Sequence, residues 1–267
     1  MDLSSMIRDR QDLSSFLFHM TKGSENQALD NLTDILRNRR IKAMKPFGLA
    51  VSRISKSNLE NKEQLLKSQY CICFTETPLH HIKHLCFNTK TGEKNYENFG
   101  IGIPKKHGRE SGINPVWYID TTPNHEWLTK HVEKLVKASI NTNFANSAIS
   151  KLAPFMETMG TGTSGGRKYM KEFWYEREWR YNGKSYNLPN KFIVIAPERH
   201  FDEVADTILS TESSVKALLI DSEWSIEEMV TLSRPICNIE RPENTNYLYI
   251  NRSLFDSNDI NPFISNS

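Results

Sequence analysis

The chain is poor in the features that mark the commonest protein classes. Among its 267 residues are four cysteines, Cys71, Cys73, Cys86 and Cys237. They are too few and too unevenly placed for a secreted disulfide framework. No apolar run approaches the roughly 18 residues that a membrane span requires, and the N-terminus opens on polar and charged residues without a cleavable apolar stretch. A cytoplasmic protein with no membrane partner is therefore expected. Charge of one sign is also missing: the formal net charge is +2, so global electrostatics argues for neither a membrane nor a nucleic-acid partner. There is no Walker loop, no GxGxxG turn, no internal repeat, no low-complexity tract and no clear linker. The glycine-rich run Gly160 to Gly166 precedes a strand and so lacks the helix N-terminus that makes a phosphate cradle.

What is present suits one mixed α+β domain spanning 1–267, with ample apolar content for a core at about 13–235. FLFHM (Phe16 to Met20) reads as a strand, followed by an amphipathic helix with Leu29, Leu32, Ile35 and Leu36 on one face. A basic run follows, with Arg37, Arg39, Arg40, Lys42 and Lys45 and no acid. Further strands are expected at YCICF (Tyr70 to Phe74), FGIGI (Phe99 to Ile103) and PVWYI (Pro115 to Ile119). A short helix should open near Pro78 and a long helical region should run from about Glu126 to Leu152. A flexible Gly, Ser and Thr loop, METMGTGTSGGRKY, then leads into an aromatic strand. KFIVIA and VKALLID each precede a helix, NYLYI (Asn246 to Ile250) reads as an edge strand, and the tail beyond Asp256 reads as loose.

The aromatic strand, FWYEREWRY from Phe173 to Tyr181, is the most informative stretch. Strand alternation places Trp174, Glu176, Glu178 and Arg180 on one face and Phe173, Tyr175, Trp179 and Tyr181 on the other. Charges on a sheet's inner surface need pairing or use, so this face either does chemistry or is the solvated side of an edge strand. A second candidate is the set Cys71, Cys73, His80, His81, His84 and Cys86, in which His80 and His84 form a helical i, i+4 pair able to hold zinc. No second CxxC and no HExxH completes a ligand set, and no metal is expected.

FLFHMTKG, CFTETPL, FGIGIPKKHG with PVWYI, and EFWYEREWRY together resemble the AbiGi-type abortive phage-resistance proteins over roughly residues 13–235. That group in turn resembles the ADP-ribosyltransferase fold of the DarT-type nucleic-acid-modifying toxins. The resemblance implies a split, strongly curved sheet whose cleft holds NAD. It implies Glu178 as the carboxylate at the nicotinamide ribose, Glu176 as second choice, and His19 and Thr21 at the cofactor. Phe74 and Thr75 would flank the nicotinamide, Tyr118 would stack, and Arg180 would pair with Glu178 or a cofactor phosphate. Breaking the bond from nicotinamide to ribose builds positive charge on the ribose, which a fixed carboxylate stabilises.

For the acceptor, Arg167, Lys168 and Lys171 lie just before the glutamate strand, and Lys105, Lys106, His107 and Arg109 form another basic cluster. Grouped around one cleft they would neutralise phosphates, which favours nucleic acid, RNA over DNA. A toxic effector of this kind implies a neutralising antitoxin protein. The competing readings are transfer to a protein target, a metal-binding hydrolase, and a non-enzymatic phage sensor.

Overall fold

A computed structural model of the chain describes residues 12–85, 97–164, 167–172, 174–211 and 214–237. In chain order the strands are β1 (Phe16–Met20), β2 (Arg40–Lys42), β3 (Cys71–Thr75), β4 (Gly100–Pro104), β5 (Asn114–Pro115), β6 (Trp117–Asp120) and β7 (Met156–Ser164). They continue as β8 (Arg167–Lys171), β9 (Glu178–Asn182), β10 (Ser185–Asn187), β11 (Lys191–Ile195), β12 (Lys216–Ile220) and β13 (Arg234–Cys237). The longer helices are α1 (Glu25–Asn38), α2 (Trp127–Ile140), α3 (Phe201–Leu209) and α4 (Ile226–Leu232). The class is mixed α+β, as the sequence implies. No helix among the described residues is long and apolar enough to cross a membrane. Internal contacts divide the chain into two compact units, drawn from the described residues of 1–40, 76–111 and 187–267, and of 41–75 and 112–186.

In the first unit β4 lies between β1 and β11, antiparallel to both, and β12 and β13 extend the sheet beyond β11. β11 and β12 run parallel, a pairing that needs a crossover, and α3 supplies it. The strands are near-continuous apolar runs, because Leu17, Phe18, Ile101, Ile103, Val194, Ile195 and Leu219 are all buried. α1 and α3 pack together over this core through Ala28, Leu32 and Leu36 on one side and Val204, Ala205 and Ile208 on the other. Gly102 sits opposite Phe18, and a Cβ there would strike the Phe18 ring, so the glycine makes room for that aromatic side chain. Ser24 caps α1 in a capping box with Gln27, and Arg39 ends it in the left-handed conformation.

The second unit contributes two groups of paired strands. β9 is flanked by β3 and β5, antiparallel to each, and β7 is flanked by a parallel β6 and an antiparallel β8. Its core joins Ala50, Ile54, Leu65, Ile119, Val132, Val136, Phe144, Ala153 and Met156, with α2 contributing the two valines.

Four expectations are corrected here. The aromatic strand is broken: Trp174–Glu176 form a 3-10 turn, Arg177 adopts φ 42°, and only Glu178 onward is strand. The alternation argument therefore stops at Glu178 and does not extend back to Glu176. The predicted flexible loop is instead the β7 and β8 hairpin, because its threonines alternate with glycines and β-branched residues favour extended backbone. The long helical region divides into α2, a 3-10 turn at Phe144–Asn146 and a short helix Ala148–Leu152. Ser147, whose side chain accepts from Ser150 N–H, caps that last piece. PVWYI divides as well, into β5 and β6, which belong to different sheets. NYLYI and the tail lie outside the described residues.

Gly48 shows how tightly the second unit is closed. It adopts φ +95°, and a Cβ there would meet the Ala153 carbonyl oxygen, a backbone atom with no freedom to withdraw. Gly48→Ala should destabilise the fold by about 1–3 kcal/mol from backbone strain, with the steric clash adding to it. Gly112 has a similar φ of +88° but nothing within 4 Å, so Gly112→Ala should show the strain alone. Urea denaturation of both variants checks the order; equal losses would remove the packing contribution assigned to Gly48.

Candidate functional site

The second unit gathers several of the expected residues around one buried arginine. Antiparallel register places Glu178 opposite Thr75, Arg180 opposite Cys73 and Asn182 opposite Cys71, so these six share a face of the β3 and β9 pair. Arg180 is only 1% exposed and is the largest fully buried side chain among the described residues. Its guanidinium is bidentate to Glu178, with Nε to Oε1 at 2.8 Å and Nη2 to Oε2 at 3.0 Å. Nη2 also donates to Glu157 Oε2 at 2.8 Å and Nη1 to the Pro154 carbonyl at 2.8 Å. The guanidinium carbon lies 5.0 Å from the centre of the Phe47 ring. Lys171 completes the chain of charges, with Nζ 2.6 Å from Glu157 Oε1. Two cations and two carboxylates thus form a network that is neutral as a whole.

The electrostatics follow from burial and from these pairs. Burial opposes the ionised form of Glu157, but Arg180 and Lys171 outweigh it and hold the carboxyl below its ordinary range. Burial likewise opposes the charge on Arg180, and the hydrogen-bonded Glu178 carboxylate reverses this and raises its pKa. Cys73 and Cys71 are pushed the other way. Burial first, then the Glu178 carboxylate, drives Cys73 far up, and burial takes Cys71 to about 11. Both are thiols at neutral pH and poor nucleophiles as they stand. Tyr118 on β6 faces Glu178 and Glu176, and burial, then those two charges, raises its phenol so that it stays protonated.

The remaining expected residues divide. Thr75 is buried, and its hydroxyl donates to the Glu176 carbonyl, pinning the 3-10 turn that precedes Glu178. Phe74 points to the opposite face of β3 from Thr75 and packs edge-on against Tyr186 at 5.7 Å. Lys171 is engaged with Glu157, while Arg167 and Lys168 lie on β8 at the far end of the hairpin. His19 and Thr21 belong to the first unit. His19 sits on β1 opposite Ile101, and the Thr21 hydroxyl donates to the carbonyls of Ala28 at 2.9 Å and Phe99 at 3.2 Å. Among the described residues no group of three or more His, Cys, Asp or Glu could hold a metal ion, and Cys86 lies outside them.

Glu157 and the Pro154 carbonyl escaped sequence reasoning. One signal was available: Glu157 is the single charge in the nine residues of β7, Met156–Ser164. Lys105 also departs from its expected role. It is 6% exposed, with Nζ 2.5 Å from Glu76 Oε1, so it is a buried partner and not part of a solvated basic cluster.

With this geometry in place, the relatives identify the class. A sequence model described as "Putative abortive phage resistance protein AbiGi, antitoxin" matches residues 50–213. The match spans more than half of the chain, and the protein belongs to the AbiGi family of abortive phage resistance proteins. Abortive phage resistance protein AbiGi of Lactococcus lactis subsp. cremoris is 27% identical over 154 residues, 51% of this chain and 58% of that protein. The chain therefore matches less than two thirds of that relative's length. No solved structure matches. The matched range contains Thr75, Tyr118, Glu157, Lys171, Glu178 and Arg180; His19 and Thr21 precede it.

The network predicts a mutational and a pH signature. Arg180→Met leaves Glu178 and Glu157 buried against each other, which should cost about 3–5 kcal/mol in urea denaturation. Because the Glu157 pKa is depressed in the fold, its stabilisation is present above the ordinary carboxylate value of 4.5 and lost as pH falls through the folded value. Stability should therefore drop on acidification below about pH 4.5. Glu157→Gln should flatten that dependence; an unchanged acid limb would remove Glu157 from the account.

Proposed function

We propose that this AbiGi-family protein acts in anti-phage defence through NAD-dependent ADP-ribosyl transfer to nucleic acid, RNA before DNA, with Glu178 at the reacting ribose. The supporting observation is how Glu178 is held. Its bidentate pairing with Arg180, together with a hydrogen bond from the Cys73 thiol, holds the carboxylate in one position as a fixed acceptor for a ligand hydroxyl. Tyr118, protonated and beside it, offers a donor. A fixed acceptor next to a donor fits a ribose diol.

Bound NAD would supply an ADP-ribosyl group with nicotinamide as leaving group. The protein's own part is electrostatic. Glu178 is a preorganised negative charge for the cation that develops on the ribose, and its tie to Arg180 makes it an orienting group more than a proton acceptor. Glu176, carried on the 3-10 turn, is the nearer choice for taking the acceptor's proton. Glu178→Gln should lower NAD cleavage roughly a hundredfold or more, with far less change in NAD affinity. Glu176→Gln should retain cleavage while transfer falls. Labelled NAD incubated with RNA, DNA and protein fractions measures both. Full activity in both variants would sink the reading.

A second reading has its own support in the family description, which says antitoxin. On this view the chain restrains a toxic partner, and the balanced Glu178, Arg180, Glu157 and Lys171 network is structural. Expression of the chain alone separates the two: toxicity that Glu178→Gln abolishes supports the transferase, whereas a harmless chain that consumes no NAD supports the antitoxin.

A further inference from the structure

The exposed side of α2 carries a feature that the site above does not use. Thr129, Val132 and Val136 turn into the core of the second unit, which leaves the other face of the helix to solvent. Along that face Trp127, His131 and Lys134 recur at i, i+4 and i+7, one line on the helix surface, with Lys130 and Lys137 flanking it. Trp127 is 69% exposed, a large indole open to solvent over most of its surface. The Trp127 and His131 rings meet edge to face at 6.3 Å, and His131 Nδ1 lies 2.7 Å from the Trp127 carbonyl, so the imidazole is anchored beside the indole. Together with Arg53 these side chains line an open depression of about 490 Å³.

Two acids also line it, and each is already neutralised. Glu133 pairs with Arg53, and Glu126 pairs with Lys130 at 2.6 Å. Lys134 and Lys137 remain as the excess positive charge of the depression, giving it a net cationic character beside an aromatic platform.

We propose that this surface binds single-stranded nucleic acid, with Trp127 stacking on a base and Lys134 and Lys137 contacting the adjoining phosphates. Charge complementarity selects a polyanion. The exposed indole selects one with accessible planar bases, since base stacking on an aromatic is worth about 1–3 kcal/mol and a duplex keeps its base faces covered. A protein partner is less well matched, because protein interfaces are depleted in lysine and this face is lysine-rich. The inference deepens the reading of nucleic acid as acceptor and rests on it for biological meaning, but binding here requires neither NAD nor Glu178.

The test uses the full chain and fluorescein-labelled oligouridylate and oligothymidylate of about 15 nucleotides, followed by anisotropy at several salt concentrations without NAD. Trp127→Ala should weaken binding about tenfold or more, and Trp127→Phe should restore most of it. Lys134→Ala with Lys137→Ala should reduce the slope of log affinity against log salt by about 1.4, at 0.7 per phosphate contact on a single strand. Lys67→Ala, an exposed lysine on the helix Lys62–Lys67, should leave affinity unchanged. A preference between the two oligonucleotides reports whether RNA or DNA is the natural ligand. The proposal is overturned by absence of binding, by equal losses in the Lys67 control, or by polyglutamate binding as tightly as the oligonucleotides. Intact oligonucleotide binding without any ADP-ribosyl transfer would overturn the transferase reading and leave this surface standing.

Discussion

The second unit is organised by the requirement that one fully buried guanidinium find partners. Removing Arg180 from water is unfavourable by several kcal/mol, and only complete hydrogen bonding offsets it. Nε, Nη1 and Nη2 all donate, to Glu178, Pro154 and Glu157. Those acceptors come from β9, from the turn that precedes β7 and from β7 itself, and Phe47 covers the guanidinium from a fourth segment. Arg180 thus fixes where β9 starts relative to β7. Glu178 and Arg180, two residues apart on one strand, project the same way, so the extended backbone of β9 is what allows the bidentate pair to form.

The same constraint decides the chemistry available nearby. A carboxylate gripped by an arginine is held still, which suits it to hold a hydroxyl or face a developing cation. Burial and the nearby carboxylate keep Cys73 and Tyr118 protonated, so two neutral groups sit beside the ion-pair network.

Much of the first unit was legible in the sequence, because its strands are continuous apolar runs and its helices carry a clean amphipathic period. β1, α1, β11 with α3, and β12 with α4 stand where pattern alone places them. The second unit was less legible, for identifiable reasons. Arg177 with positive φ interrupts a segment whose composition is otherwise that of a strand, and nothing in residue type signals the break. Glycine and threonine alternating from Gly160 to Thr163 read as a loop by glycine content and as a strand by threonine content, and pairing with β8 settles it. The Glu178 and Arg180 pair was visible as parity on a strand, but Glu157 comes from 21 residues upstream and is joined to it only by the fold.

The basic residues carry the same lesson into function. Clusters in sequence gave Lys105 and Lys171 as candidates for phosphate contact, yet each is committed to an internal carboxylate. Arg39 likewise donates to the Leu188 and Pro189 carbonyls and to Asn190. A run of like charge says little about which members reach solvent, because burial forces some of them to pair. On α2, by contrast, the lysines are interleaved with apolar residues and never form a run, so composition along the chain hides them. Helical geometry collects them on one face with an exposed tryptophan. For a chain of nearly balanced charge, recognition of a polyanion depends on which cations the fold leaves unneutralised together, and in the second unit that condition is met on the outer face of α2.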